Sequence, residues 1–428
     1  MRQATCFIYH LTCMSKETLQ QYLKIIIRQL AIWTIRKYDP GIIAVTGSVG
    51  KTSTKKAIYT VLKDYRKTRA NSKNFNNEIG IPLTILGDYS EISGKFFWPK
   101  VILIAVFRLI FRMPYPELLI LEYGVDKPGD MRYLLDIARP KIGVITAIGD
   151  IPVHVEFFSG PDALAREKSK VVESLSATGF AVLNHDDGAV LEMRYRTRAH
   201  TISYGFEDGA DMVISNFETK MEGNKPQGIS FKLNYGGSFV PIRLDNCFGK
   251  AQAYAAAASA CLGIIFGLNL IKISEALSKY EAPPQRGVLI SGVKNTYIID
   301  DSYNASPLSV EAAIYTMEVL KAKRKIAVLG DMLEIGKYTV EAHESIGKLI
   351  PKRFDILFTV GSRAKFIADS AREAGMPQKD IYSFDTAEEA APEVQELIRK
   401  GDLILVKASR AIGLDKIVEE IKEISVNN

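Results

Sequence analysis

Cysteine is scarce in this chain: of 428 residues, only Cys6, Cys13, Cys247 and Cys261 are thiols. They form no CxxC pair and no metal-ligand rhythm, so reduced thiols of a cytosolic protein are the expectation. Charge of one sign is not blocked either, since 55 Lys and Arg interleave with 49 Asp and Glu for a net charge of +6. That balance requires no nucleic acid, which is not expected as a partner, and it suits acidic phosphorylated substrates. The N-terminus lacks a basic region followed by an apolar core and a small-residue cleavage site, so no signal peptide is read and the cytoplasm is the expected location. What is present is ample core material. With 47% hydrophobic and 24% charged residues the chain is globular, and its length suggests about three domains.

One apolar segment stands apart, FFWPKVILIAVFRLI at 96–110, continuing through Phe111-Arg112-Met113-Pro114. A spanning helix needs about 20 predominantly apolar residues, and Pro99, Lys100, Arg108 and Arg112 interrupt this run. At about 100° per residue Arg108 and Arg112 share a face with Lys100 near it. Two readings stay open: an interfacial amphipathic helix making peripheral membrane contact, and a helix buried or covered by a protein partner whose basic side chains snorkel.

Along the chain, Lys16 to Lys37 has helical periodicity, with Leu19, Leu23, Ile26, Leu30 and Trp33 along one side and a turn signal at Tyr38-Asp39-Pro40-Gly41. Short apolar strands follow at 42–46, 118–122, 142–148, 181–184, 297–300, 325–329, 356–360 and 403–406, many separated by helical stretches, the pattern of parallel sheets with crossover helices. Residues 200–245 alternate instead and read as antiparallel hairpins added to the first sheet. An Ala-rich helix at 251–262 leads through Pro283-Pro284 to a second α/β unit. The expected α/β architecture is a helical lead-in at 1–40, a P-loop domain with a mostly parallel sheet at 41–283 carrying the apolar insertion 96–114, and a Rossmann-like domain at 284–428.

The chemistry starts at IIAVTGSVGKTST, residues 42–54. A strand ending at Thr46, then Gly47, Ser48 and Gly50, then Lys51-Thr52-Ser53 opening a helix, is an arrangement in which backbone N–H groups and a helix N-terminus cradle phosphates. Lys51 would reach the terminal phosphates and the Thr52 hydroxyl would ligate Mg²⁺. The spacing GxxGKT is shorter than the general pattern, which wants its first glycine where Val45 stands. ATP and GTP remain equally open on these residues.

TGSVGKTSTK, NNEIGIPLTIL (76–86), LEYGVDKPGDM (121–131), ITAIGDIPVHVEFF (145–158), VLNHDD (182–187), DDSYNASP (300–307), VLGDMLEIG (328–336) and VKASRAIGL (406–414) together resemble the Mur ligases of peptidoglycan synthesis. Within them the similarity is greatest to the type that adds D-Ala-D-Ala to UDP-N-acetylmuramoyl-tripeptide. The blocks run in order over residues 41–428. The resemblance implies a central ATPase domain and a C-terminal ligase domain that close on each other. It also implies the reaction: ATP phosphorylates a carboxylate, and an amine then displaces phosphate to form an amide.

The resemblance implies site residues as well. Glu122 would hold Mg²⁺, His154 a second Mg²⁺, and Lys168 would carry a CO₂-derived carbamate that helps hold that second ion. Lys51, His154 and Lys168 are the implied catalytic set. Asn76 and Asn77 would position the acceptor's carboxylate end, Asp301 would contact the nucleotide ribose, and Tyr303 and Asn304 would line the adenine site. Arg286 would reach ATP phosphates on closure, a task suited to a guanidinium. Lys407, Ser409 and Arg410 would form an amine-substrate and product-side loop, and Asp331 and Glu334 would help shape the dipeptide pocket.

Departures from the pattern accompany these matches. Ala408 stands where a glycine is common, and Gly249-Lys250-Ala251-Gln252 replaces a Gly-x-His-Asn run. Only 40 residues precede the nucleotide domain, fewer than the family's UDP-binding domain requires, so the UDP portion would be held differently or the acceptor would be another carboxylate. Three readings follow: the D-Ala-D-Ala ligase, a ligase or amidotransferase subunit acting on a poly-glutamyl or lipid-linked carboxylate, and an assembly protein using the P-loop as a switch.

Overall fold

The computed structural model describes residues 16–71, 75–89 and 91–423, apart from the side chains at 16, 17 and 19. Cys6, Cys13 and the Leu19 side chain therefore lie outside the described residues. Two sheets organise the rest. The first holds β1 (Gly41–Thr46), β2 (Thr68–Ala70), β3 (Leu118–Glu122), β4 (Ile142–Ile145), β5 (Phe180–Asn184), β6 (His200–Gly205), β7 (Met212–Glu222), β8 (Lys225–Tyr235) and β9 (Ser238–Asp245). Their spatial order is β2-β3-β1-β4-β5-β6-β7-β8-β9. Strands β2 through β7 are parallel to their neighbours, and β7, β8 and β9 are antiparallel. The antiparallel extension expected over 200–245 is thus present, but its first strand, β6, continues the parallel part.

Strands β1 and β3 are apolar on both faces because both faces are covered, as parallel sheets require. One face packs Ile43, Val45 and Ile120 against the helices at 51–62 and 250–265, and the other packs Ile42, Ala44, Leu119 and Leu121. On that second face lie α1 (Lys16–Tyr38), α3 (Gly80–Leu86) and α4 (Phe97–Ile110), while α2 (Lys51–Leu62) covers the first. Helix α1 buries Ile27, Leu30, Ala31 and Thr34, whereas Ile26 and Trp33 of the apolar side read from sequence face solvent. The consecutive Ile25-Ile26-Ile27 puts apolar side chains on three sides of one turn, so periodicity alone could not single out the packed side.

The second sheet holds β10 (Val288–Gly292), β11 (Thr296–Asp300), β12 (Arg324–Gly330), β13 (Ile356–Val360), β14 (Ile381–Phe384) and β15 (Asp402–Lys407), in the order β10-β11-β15-β12-β13-β14. All neighbours are parallel except β10 with β11. Both sheets contain a switch point: β1 lies between β3 and β4, and β15 between β11 and β12. Ligands of open α/β sheets bind at the carboxyl ends of strands at such points. The P-loop, Glu122 and the segments after β11, β12 and β15 all emerge there.

Candidate active site

Strand β4 ends at Ile145, three residues short of the expected strand, because its continuation supports the phosphate loop instead. Ser48 and Val49 donate their N–H groups to the Ala147 carbonyl at 2.7 and 3.0 Å. The Thr146 hydroxyl donates to the Thr46 carbonyl at 3.1 Å, and the Thr46 hydroxyl to the Tyr123 carbonyl at 2.9 Å. Gly47 has φ 142°, and a Cβ there would lie 1.9 Å from the Thr146 hydroxyl oxygen, so only glycine fits. Gly50, at φ 88°, caps α2.

Lys51 folds back over this loop, donating to the Gly47 carbonyl at 2.9 Å and the Ser48 carbonyl at 3.2 Å. Lys168, carried on the helix Pro161–Glu173, donates to the same Gly47 carbonyl at 3.1 Å and is 1% exposed. Burial and then the Lys51 charge drive the Lys168 amine well below the ordinary lysine range.

Thr52 and Glu122 meet at 3.3 Å, hydroxyl to carboxylate. Burial would raise the Glu122 pKa, but the charges of Lys55, Lys51 and Arg286 outweigh it and hold the carboxylate below its usual value. Lys55, one turn beyond Lys51, makes a buried 3.2 Å ion pair with Glu122 and donates to Asn71 at 3.1 Å. Sequence reasoning missed Lys55, although the Lys51/Lys55 spacing of four places both on one side of α2. The Ser48 hydroxyl is buried without a hydrogen-bond partner among the described residues, and Glu122 Oε2 has its Lys55 ion pair but no aligned hydrogen bond. Such unsatisfied acceptors beside a phosphate-type loop fit a divalent ion and phosphate oxygens.

Two adjoining cavities share Ser48, Gly50, Thr52, Arg286 and Asn304. The first extends past Ser53 to Phe248, Gly249, Asp301, Thr316 and Lys407. The second collects Lys51, Asn76, Glu122, Asp126, His154, Tyr303, Glu334, Ser409 and Arg410. Thus most of the residues singled out from sequence converge, from both sheets. Tyr303 lies in the second cavity, away from Asp301 and Gly249, with Arg286 stacked on its ring at 4.0 Å and Arg410 donating to its hydroxyl at 3.0 Å. Lys407 is buried, binds Asp301 at 2.6 Å and the Asn304 carbonyl at 2.9 Å, and is lowered by that burial. Arg286 is held through its backbone by Gln252, whose amide donates to the Arg286 carbonyl at 2.6 Å and accepts from Tyr280 at 2.8 Å.

Other residues serve the scaffold. Asn77 caps α3, accepting from Ile79 and Gly80 N–H at 3.2 and 2.9 Å, while Asn76 faces the second cavity. Asp331 is buried and accepts from Arg363 and Ala364 N–H at 3.0 and 2.7 Å; Ser409 accepts from Leu333 N–H at 2.8 Å, so both shape the loop after β12. Ala408 is buried, packs its methyl toward Gly330 and lines neither cavity.

His154 links the sheets. Its Nδ1 lies 2.9 Å from a Glu334 carboxylate oxygen and its Nε2 3.5 Å from Asp126. Both members of the bridge have left-handed backbone, φ 71° at His154 and φ 63° at Glu334. Asp126 was not singled out from sequence, though it sits inside the LEYGVDKPGDM block. No group of three His, Cys, Asp or Glu among the described residues is placed to hold a metal unaided.

Comparison with known proteins gives this geometry its class. Residues 45–92 and 103–263 match the Mur ligase middle domain, and residues 285–410 match the Mur ligase, glutamate ligase domain. The chain belongs to the Mur ligase family. Within the family, it is 31% identical over 401 residues to the UDP-N-acetylmuramoyl-tripeptide–D-alanyl-D-alanine ligase of Bacillus subtilis (strain 168), covering 93% of this chain and 79% of that protein. It is 29% identical over 428 residues to the ligase of the same name from Buchnera aphidicola, covering 98% and 84%. Among solved structures, the MurF ligase of Thermotoga maritima in complex with ADP superposes with a TM-score of 0.76 at 25% identity, over 93% of this chain and 83% of that one.

Proposed function

We propose that the protein is an ATP-dependent ligase that joins D-Ala-D-Ala to UDP-N-acetylmuramoyl-tripeptide in peptidoglycan synthesis, acting in the cytoplasm. The observation that carries this reading is the convergence of Lys51, Glu122, His154 and Lys168 from the first sheet with Arg286, Lys407 and Arg410 from the second, in a chain 31% identical to a ligase of that name.

The first cavity takes ATP, with its phosphates on Gly47, Ser48, Gly50, Lys51, Thr52 and Ser53 and its ribose at Asp301. The second takes the tripeptide carboxylate beside Asn76. A carboxylate oxygen attacks the γ-phosphorus, the bond to the β,γ-bridging oxygen breaks, and ADP leaves. The amine of D-Ala-D-Ala then attacks the acyl carbon, and phosphate departs with the electron pair of the acyl–oxygen bond as the nitrogen loses a proton. Arg286 and Lys51 stabilise charge on the transferring group from opposite sheets. Arg410, which lines the second cavity, grips an anionic group near the incoming amine, while Lys407 holds Asp301 on the nucleotide side.

Thr52 and Glu122 would hold one Mg²⁺, and His154 with a carbamylated Lys168 would hold a second; such ions supply charge neutralisation at phosphoryl oxygens. The burial and lowered pKa of Lys168 support the carbamate, because only an uncharged amine adds CO₂. The test is phosphate release from Mg-ATP with UDP-MurNAc-tripeptide and D-Ala-D-Ala supplied singly and together, and the product identified by mass. Release that requires both, with the pentapeptide mass, is expected. Release with another carboxylate, such as a glutamyl peptide, and none with the tripeptide would replace this reading.

A further inference from the structure

Helices α1 and α4 pack side by side on the same face of the first sheet, tied at their C-terminal ends. The Lys37 ammonium donates to the carbonyls of Arg108, Leu109 and Phe111 at 3.0, 2.9 and 3.1 Å, and the Tyr38 hydroxyl to that of Arg108 at 3.0 Å. Each helix uses one side for the core, α1 through Ile27, Leu30 and Ala31, and α4 through Val101 and Ala105. Because both cover the same side of the sheet, their opposite sides face outward together.

Those outward sides are apolar. On α4, Leu103 is 70% and Ile110 67% exposed, with Phe107 between them, and Phe96 at the helix N-cap is 82% exposed. On α1, Tyr22, Ile25, Ile26 and Trp33 are exposed. Arg108, on the basic side read from sequence, turns inward and donates to the Leu86 carbonyl. The charges carried within the two outward segments are basic: Arg36, Lys37, Lys95, Lys100 and Arg112 are exposed, and 18–38 and 92–116 contain no Asp or Glu, with the exposed acids Asp39, Glu91 and Glu117 directly flanking them. In a chain whose acids and bases are otherwise interleaved, both segments are net basic.

We infer that the paired α1–α4 surface docks on an anionic lipid bilayer. Large contiguous apolar patches on soluble folds mark interaction sites, and charge complementarity selects the occupant. An apolar surface with exposed Trp, Tyr and Phe and a predominantly basic rim matches the headgroup boundary of an anionic membrane. The 14 residues of α4 extend about 21 Å, short of the roughly 30 Å hydrocarbon core, and no helix among the described residues is long and apolar enough to cross a membrane. The helix lies in the interface plane. This inference is independent of the reaction proposed above.

The test is co-sedimentation of the full chain with vesicles of phosphatidylcholine alone and with phosphatidylglycerol added, alongside light scattering of the free protein. Binding is expected with phosphatidylglycerol, weakening as salt rises, and partition is expected to fall about tenfold in Lys100→Glu/Arg112→Glu and further in Leu103→Glu/Phe107→Glu. Circular dichroism and nucleotide-induced thermal shift establish that these variants fold. Absence of binding to phosphatidylglycerol vesicles overturns the inference, as does binding that Leu103→Glu/Phe107→Glu leaves unchanged. A solution dimer that this variant splits, without vesicle binding, assigns the surface to a second copy and overturns it equally.

Discussion

Single side chains in this site divide between chemistry and scaffold in ways that variants separate. Asn76 and Asn77 are adjacent, yet one faces the second cavity and the other caps α3. Asn77→Ala should cost about 1 kcal/mol of stability with the KM for the acceptor unchanged, whereas Asn76→Ala should raise that KM and leave the melting temperature in place. Lys168→Ala should lower kcat roughly 100-fold, the scale for losing one charge-stabilising group in an enclosed site, and wild-type protein in bicarbonate should show the carbamate mass by native mass spectrometry; an unmodified amine there would refute the modification. His343 offers a pH test away from the reacting atoms. It is fully buried, its Nε2 accepts from Met332 N–H at 3.0 Å, its Nδ1 contacts the Thr339 carbonyl at 2.6 Å, and burial lowers its pKa below 6.5. In the window below 6.5 the unfolded chain therefore binds more protons than the folded one, so stability falls with acidification until the folded pKa is reached. Urea unfolding at about pH 7.5 and about pH 5.5 should show this loss in wild type and a smaller one in His343→Gln.

At the level of elements, the sequence was most readable where strands are buried on both sides. Strands β1, β3, β13 and β15 were located to within a residue because continuous apolar runs leave little choice. Thr68–Ala70, Val288–Gly292 and Ile381–Phe384 were missed: the first and last are short edge strands, and the second returns through a Lys294-Asn295 turn whose positive φ values carry no apolar signal. The phosphate loop was legible from its glycines, but its support was not, since Thr146 and Ala147 look like the end of a strand. That support makes a prediction. Gly47→Ala would drive a methyl into the Thr146 hydroxyl and should destabilise the fold by about 1–3 kcal/mol, measurable by denaturant unfolding, together with loss of ATP binding. Lys55 and Asp126 escaped notice because their value lies in three-dimensional neighbours, Glu122 and His154, on other segments.

Across the whole molecule, the site exists only because two sheets bring their carboxyl ends together. Arg286 lines both cavities and Gln252 fixes its backbone, so nucleotide bound there touches both halves. Saturating ATP should raise the melting temperature, with about 2.7 kcal/mol of stabilisation at 100 times Kd. Arg286→Ala should shrink that shift while the unliganded melting temperature stays near wild type, as differential scanning fluorimetry can check.

The bridge between His154 and Glu334 has a consequence for how this chain responds to substitution. Both positions hold a backbone shape that side chains rarely adopt and glycine takes readily. His154→Gly should therefore be more heat-resistant than His154→Ala while both lose the imidazole. For the reaction proposed above the imidazole and the carboxylate are both needed, so glycine at either position would exchange that chemistry for backbone ease. The pair is a place where endurance and chemistry compete for the same residues.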